Sequence, residues 1–529
     1  MAGENVTRSS SSATTPQAST HDVNGASLQT LVDDLETGAT VSDSQNGNED
    51  EKDREGNAQG PQSKDPNLVD WEGPGDLDNP QNMGTARKWT VTMVLSTLTI
   101  WVTFSSSIFS QATFVTADEF NVSTEVMLLG TSLPVFGFAF GPLIWGPLSE
   151  LYGRKIALFV GYTVFAIFQI PVAVGQDVQT VLVSRFFTGF FGCAPLAVIG
   201  GILADIWNPV DRGIAVALFA AATFCGPTLG PIVGGFVVDS RLGWRWTAWL
   251  TLIPSAFFGL VAVFVVPETY PPVLLTRRAT RLRFETRNWA LHCLHEEHPP
   301  SSKDIVVQYF FRPIHMLLLE PILACVTLYL ALVYGILYLT YEAFPMSFRK
   351  VRGWNKAGVA TLPFLGILVG VFLGLALIII LTKTRFVRRL KEHGSVVPEE
   401  RLPPMIIGGI MLPIGLFWFG WASHTHWFAQ VVAAVPIGLG IMVIFMQGLS
   451  YIIDMYLMFA NSALAAQTLV RSLLVGAFPM FSLHMYGKLG VDWASSLLGF
   501  LTVAMIPFPI LFYVYGAKLR SMSRYKPRL

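Results

Sequence analysis

Two arginines stand where arginine is costly. Arg185 in LVSRFFTGFFG and Arg471 in AAQTLVRSLLVGAFPMF interrupt apolar runs, and a guanidinium in hydrocarbon is expected to face a bundle interior rather than lipid. Gly189 and Gly192 follow Arg185 at i+4 and i+7, leaving that helix face smooth enough for a neighbour to approach closely. Arg471 comes one turn after Gln467; it could meet an anionic group of a substrate, meet a carboxylate, or brace its own part of the chain. Tyr334, Tyr338 and Tyr341 recur at i, i+4 and i+7, with Glu342 beside them. One helical face bearing phenols suits flat or cationic organic molecules through stacking and cation–π attraction. Thr103, Ser107, Ser110 and Gln111 offer a polar face, and Gln447 with Tyr451 another. All of this is the chemistry of recognition. No nucleophile and base pair suggests an enzyme, no Gly-x-x-x-x-Gly-Lys-Ser/Thr loop suggests use of a nucleotide, and no cofactor is expected. His292, His295 and His298 in HCLHEEH lack a complete ligand set, so no metal is expected either.

The elements that must position these residues are membrane spans. The chain has 529 residues, 52% hydrophobic and 14% charged, against about 25% charged in an ordinary soluble domain. Apolar stretches of the length needed to cross about 30 Å of hydrocarbon fall at 89–110, 125–147, 155–174, 181–204, 213–237 and 246–266, then at 314–340, 358–382, 405–422, 428–448, 463–486 and 493–516. The expected fold is an all-α membrane protein of twelve transmembrane helices in two six-helix halves, 89–266 and 314–516, joined by a cytosolic loop over 267–313. Residues 1–66 have too little apolar surface to offset ordering entropy and read as a disordered cytosolic tail. Residues 67–88 form a lead-in with Trp71, and 517–529 a cytosolic carboxyl terminus.

Charge placement gives an orientation. With the tail inside, cytosolic segments hold 23 Lys and Arg and the outer loops seven, which favours both termini in the cytosol. The start of the chain has no apolar core of a cleavable signal peptide. Net charge is zero, so no global field invites nucleic acid. Cys193, Cys225, Cys293 and Cys325 show no framework spacing and read as reduced packing residues. Asn121-Val122-Ser123 is a glycosylation acceptor in an outer loop.

Three patterns remain. GPLSELYGRK, residues 146–155, gathers Glu150, Arg154 and Lys155 in one short loop. Asp205 and Asp454 close the fourth and tenth spans, each followed two residues later by an aromatic, as a repeat of two halves would place them. In FCGPTLGPIVGGF, Gly226, Gly230 and Gly234 make a smooth strip, while Pro227 and Pro231 remove backbone donors and bend the helix.

The loop resembles the signature of the major facilitator superfamily, with Glu150 where the family usually has Asp. That resemblance implies a charge cluster of Glu150, Arg154 and Asp205 that latches the outward-facing state. Arg185 with Gly189 resembles the superfamily motif implicated in proton transfer. The run Gly226, Pro227, Gly230, Pro231, Gly234, Gly235 resembles the antiporter motif of the drug:proton antiporter branch, with Ala217 where a further Gly is usual. Together with WEGPGDLDNPQNM, WRWTAWL and VPETY, the motifs make residues 71–520 similar to fungal twelve-span drug:proton antiporters, which include multidrug, polyamine and mycotoxin exporters. In that superfamily the first, fourth, seventh and tenth spans line the cavity. The resemblance therefore implies that Ser107, Gln111, Tyr334, Tyr338, Gln447 and Tyr451 converge on substrate, with Arg471 in reach. The function it implies is proton-coupled efflux of an amphipathic toxin, secondary metabolite or drug by alternating access. The chain would work as a monomer in the cell membrane, with the vacuolar membrane as alternative. A polyamine or nutrient transporter of the same fold and a non-transporting receptor are the other readings. Glu342 and Asp205 are the candidate proton acceptors.

Overall fold

The computed structural model describes residues 65–523 apart from Pro74, residues 298–306 and residues 394–396. Most of the expected tail, residues 1–64, and His298 lie outside the described residues. Among the described residues, eleven helical stretches are long and apolar enough to cross a membrane. The last, Ala460–Gly516, runs for 57 residues, which in one straight helix would measure about 85 Å. It is instead broken at Gly490, where φ is 74° and ψ 171°, so it contains two legs and the chain makes twelve passes. They are α1 (Thr85–Glu119), α2 (Thr124–Leu151), α3 (Arg154–Val174), α4 (Val178–Ile206), α5 (Asp211–Val238), α6 (Trp246–Val265), α7 (Pro321–Val351), α8 (Ala357–Arg389), α9 (Pro398–His424), α10 (Trp427–Tyr456), α11 (460–489) and α12 (491–516).

The seventh span begins later than the apolar run suggests. Arg312–Leu319 is a separate short helix, because Glu320 adopts an extended conformation and Pro321 can only start a new helix. The same span continues past residue 340, so Tyr341 and Glu342, which the sequence put near its end, are buried.

Helix pairing repeats. In the first half α1 packs on α5, α2 on α4, α3 on α4 and α3 on α6; in the second α7 packs on α11, α8 on α10, α9 on α10 and α9 on α12. Glycines set these approaches. A methyl group on Gly189 of α4 would overlap the Pro134 carbonyl of α2, and one on Gly438 of α10 would overlap the Ile367 carbonyl of α8. The halves meet through α2 against α11 and α5 against α8.

The end of the bundle at which α1 begins is called here the tail side. The lead-in is docked there on the central loop. Val69 N donates to His292 O (2.8 Å) and His292 N to Asn67 O (3.0 Å). Arg278, on the loop helix Pro271–Thr286, donates to Asp76 (2.6 Å) and to Glu72. The backbone N–H groups of Glu72 and Asp78, with Arg278, hold the Asp76 carboxyl down at about 2.

Candidate functional site

Arg185 is 2% exposed and spends its donors on main-chain carbonyls. Nε donates to Gly130 O of α2 (2.7 Å), Nη1 to Ser105 O (2.7 Å) and Nη2 to Ser106 O of α1 (3.1 Å). The planar fork thus pins three helices together, and its face lies 5.0 Å from the Phe109 ring centroid. Ser106 passes the connection across the midline, since its hydroxyl is 3.0 Å from the Tyr338 hydroxyl on α7.

On the other side of that bond sits an aromatic cluster. Tyr338 touches Tyr334 (centroids 5.5 Å) and Tyr341 (4.9 Å); Tyr334 touches Phe445 of α10 (5.5 Å) and Phe224 of α5 (5.8 Å). The Arg471 guanidinium of α11 lies 4.8 Å from the Tyr334 centroid and 5.0 Å from that of Phe445. The helical spacing of the three tyrosines therefore does build one continuous face, and that face looks into the seam between the halves. Gln447 is buried on α10.

The other expected members divide. Ser107 donates to Phe104 O and fills the space left by Gly230 of α5, as Thr103 fills that left by Gly226. Ser106, one position earlier, makes the hydrogen bond to Tyr338 of α7, and Ser107 lies beside Tyr341 of the same helix. Three consecutive serines, Ser105 to Ser107, carry no phase information, so the sequence could not say which of them bonds across the seam. Gln111 lies in the tight 3-10 turn Phe109–Ala112 and donates to Ser110. Tyr451 stacks on Phe512 of α12 (centroids 6.2 Å), within the second half and away from the Arg471 cluster. Asn121 is exposed and left-handed, φ 52°, and Ser123 of the same triplet caps α2.

The antiporter-like run is a packing device in this geometry. Cβ atoms at Gly226, Gly230 and Gly234 would overlap Thr103, Ser107 and the Ile108 carbonyl of α1, while one at Gly235 would crowd the backbone of Gly358 at the start of α8. Pro227 and Pro231 sit inside the same helix.

The loop charges divide. Arg154 pairs with Asp205 (3.3 Å) and donates to Ser149 (2.9 Å). Glu150 forms no ion pair with either of them; it accepts from Asn461 at the start of α11 (3.3 Å), with Tyr309 beside it. The third member is Glu268, from VPETY. Its carboxylate accepts from the backbone N–H of Arg154 (2.9 Å), Lys155 (3.2 Å), Thr269 (3.0 Å) and Tyr270 (3.1 Å). It caps α3, whose own Ncap, Gly153, has no side chain to offer. The second half repeats the tie: Arg401 at the foot of α9 meets Asp454 at the foot of α10 (2.7 Å). Asp454 was legible as the counterpart of Asp205; Arg401 was hidden among the other charges of its loop.

A family model, Major Facilitator Superfamily, matches residues 93–479. The chain belongs to the major facilitator superfamily. It is 59% identical over 463 residues to a citrinin biosynthesis cluster MFS transporter of Monascus ruber, covering 87% of this chain and 93% of that one. It is 57% identical over 476 residues to an ascochitine biosynthesis cluster MFS transporter of Didymella fabae, covering 90% and 92%. Among solved structures, the proton:xylose symporter XylE aligns with a TM-score of 0.59 at 15% identity, over 82% of this chain and 97% of that one. This major facilitator protein is a multi-pass membrane transporter.

Proposed function

We propose that the protein exports an amphipathic organic compound, a secondary metabolite, toxin or drug, in exchange for protons and by alternating access. The observation that carries this is the seam itself: Arg185, Ser106, Tyr338, Tyr334 and Arg471 form one contact chain from α4 to α11, through both halves. A rocking motion between the halves must break the Ser106–Tyr338 link and expose the aromatic face. Both ends are tied, by Glu150 and Asn461 on the tail side and by Asp239 accepting from Gly358 N (3.1 Å) on the far side. Tyr334, Tyr338, Gln447 and Arg471 are the proposed substrate contacts; Ser107 and Gln111 line the route on α1, and Tyr451 drops out on geometry. Arg185 couples the proton to the movement of α1 and α2, with Glu342 and Asp205 as candidate acceptors. In place of one latch of Glu150, Arg154 and Asp205, Glu150 acts as the latch through Asn461 while Arg154, Asp205 and Glu268 brace the α3 and α4 ends behind it, and the glycines Gly226 to Gly235 keep α5 close enough to α1 and α8 to exclude leaks.

The Lys and Arg excess supports a tail side in the cytosol, and Asn121 is then the proposed outer glycosylation site. The chain works as a monomer in the cell membrane. The names of the two fungal relatives support a biosynthetic metabolite as cargo. Two interior guanidiniums disfavour a polyamine.

The test is retention of fluorescent drugs, polyamines and aromatic toxins in pump-deficient yeast expressing the protein, with and without a protonophore, beside Arg185→Ala. Lower retention that both treatments abolish is the expected result. Unchanged retention despite surface expression would remove broad efflux.

A further inference from the structure

Arg471 differs from Arg185 in one respect that bears on cargo. Arg185 has an acceptor for each guanidinium nitrogen. Among the described residues Arg471 makes no hydrogen bond and no ion pair, and its Nε is buried without a partner. It nonetheless lies deep in the body, about 16 Å along α11 from the helix start by the usual rise, with rings of α7 and α10 on its faces. Part of its surface stays free, so it borders an interior space rather than packing solidly. One turn earlier on the same helix face, Gln467 is 0% exposed and its Nε2 also has no acceptor. Orphaned donors at such depth cost free energy unless something supplies acceptors. Glu342, the buried acid of α7, has Lys350 as its charged neighbour.

We infer that the cargo is an aromatic anion whose carboxylate, or equally acidic oxygen, seats on Arg471 Nε and Gln467 Nε2 while its ring system lies against Tyr334 and Phe445. This rests on the export reading for what happens after binding, but not for binding itself. Two parallel donors from one helix face match the two oxygens of a carboxylate. The aromatic rings that now cover the guanidinium offer the same stacking surface to a planar ligand.

The experiment uses the purified full-length protein and three probes that share a ring and differ in charge: 2-naphthoate, 2-naphthamide and 2-naphthylmethylammonium. Binding is measured by calorimetry. Naphthoate should bind at least about tenfold more tightly than the amide, the difference expected for a charge-assisted hydrogen bond, and the ammonium more weakly than either. Arg471→Gln should bring naphthoate and naphthamide to within about twofold, Arg471→Lys should keep most of the preference, and Gln467→Leu should lose part of it. The comparison within the native protein needs no variant, so a misfolded variant does not decide the matter. Equal affinity for all three probes, preference for the ammonium, no binding of any, or a preference that survives Arg471→Gln would overturn the assignment. Uptake into everted vesicles separates the two ideas. Selective naphthoate binding without proton-dependent movement of any probe would sink export and leave the anion site standing. Export of naphthamide as fast as naphthoate would sink the anion site and leave export standing.

Discussion

At Arg185, charge alone does not account for the residue. Three carbonyls on two helices accept from Nε, Nη1 and Nη2, and a lysine ammonium on its single stem cannot span them. Arg185→Lys should therefore lower transport at least tenfold although the charge is kept. It should also lower the unfolding temperature, because each carbonyl left without a donor costs about 1–3 kcal/mol. Efflux and thermal unfolding of the same preparation check both, and wild-type transport by the lysine variant would show that only charge matters. Arg185 was legible because a cation in an apolar run has few reasons to be there. Glu268 stood in plain view in VPETY, but its use as the cap of α3 depends on a partner 114 positions away, which no local pattern encodes. Ser106 was missed beside Ser107 because a helical face is assigned by phase, and a run of serines supplies none.

Helices in this protein are held at distances that glycine permits, and the α1–α5 pair shows how far that can be tested. Gly230→Ala would drive a methyl group into Ser107 Oγ, an overpacking that costs about 1–3 kcal/mol. Adding Ser107→Ala removes the nearest obstructing atom, so the double variant should regain a good part of the lost stability and transport. A double variant worse than Gly230→Ala would show that the strip is not what sets the spacing. The place of each span was readable, since length and apolarity fix it, but helices run on past the apolar stretch, as α1 does to Glu119 and α10 to Tyr456; the start of α7 was misplaced because IHMLLL in RPIHMLLLEP adds apolar residues just before the span and only the Glu320–Pro321 break separates them. The lead-in makes a pH prediction. His292 bonds to the Ala290 carbonyl (2.8 Å) and the Glu297 carboxylate (2.6 Å); both partners accept, so both ring nitrogens must carry protons. Those partners, Ala290 first, raise its pKa above 6.5. A raised pKa contributes stability that is present in full below 6.5 and lost as pH climbs through the folded value. Asp76, held down at about 2, changes nothing in that window. A nitroxide at Asp70→Cys should become more mobile on alkalinisation and stay unchanged from pH 6 to 5, and His292→Ala should flatten the response. Release on acidification instead would contradict the assignment.

Across the whole molecule, the ion pairs and the gate are separate things. Arg154–Asp205 joins α3 to α4 and Arg401–Asp454 joins α9 to α10, so each tie stays inside one half and keeps that half rigid while it moves. Among the described residues, what links the helices of the two halves on the tail side is no ion pair but a hydrogen bond from the neutral Asn461 amide to the Glu150 carboxylate. The loop motif in the sequence named all the charges but could not say which of them stay together through a cycle, because that depends on which helix starts the opposing half brings to the loop. Asn461→Asp places like charges at this contact, a repulsion of about 1–4 kcal/mol at 4 Å for partly solvated groups. The tail side should then open more often. With the four native cysteines replaced and Tyr334→Cys as reporter, an impermeant maleimide applied on the tail side should label Asn461→Asp at least about fivefold faster than its parent. Adding Glu150→Asn removes the repulsion and should return the slow rate. Labelling that ignores the aspartate, or that stays fast when Glu150 is neutralised, would mean that the halves are held closed by the packing of α2 on α11 instead.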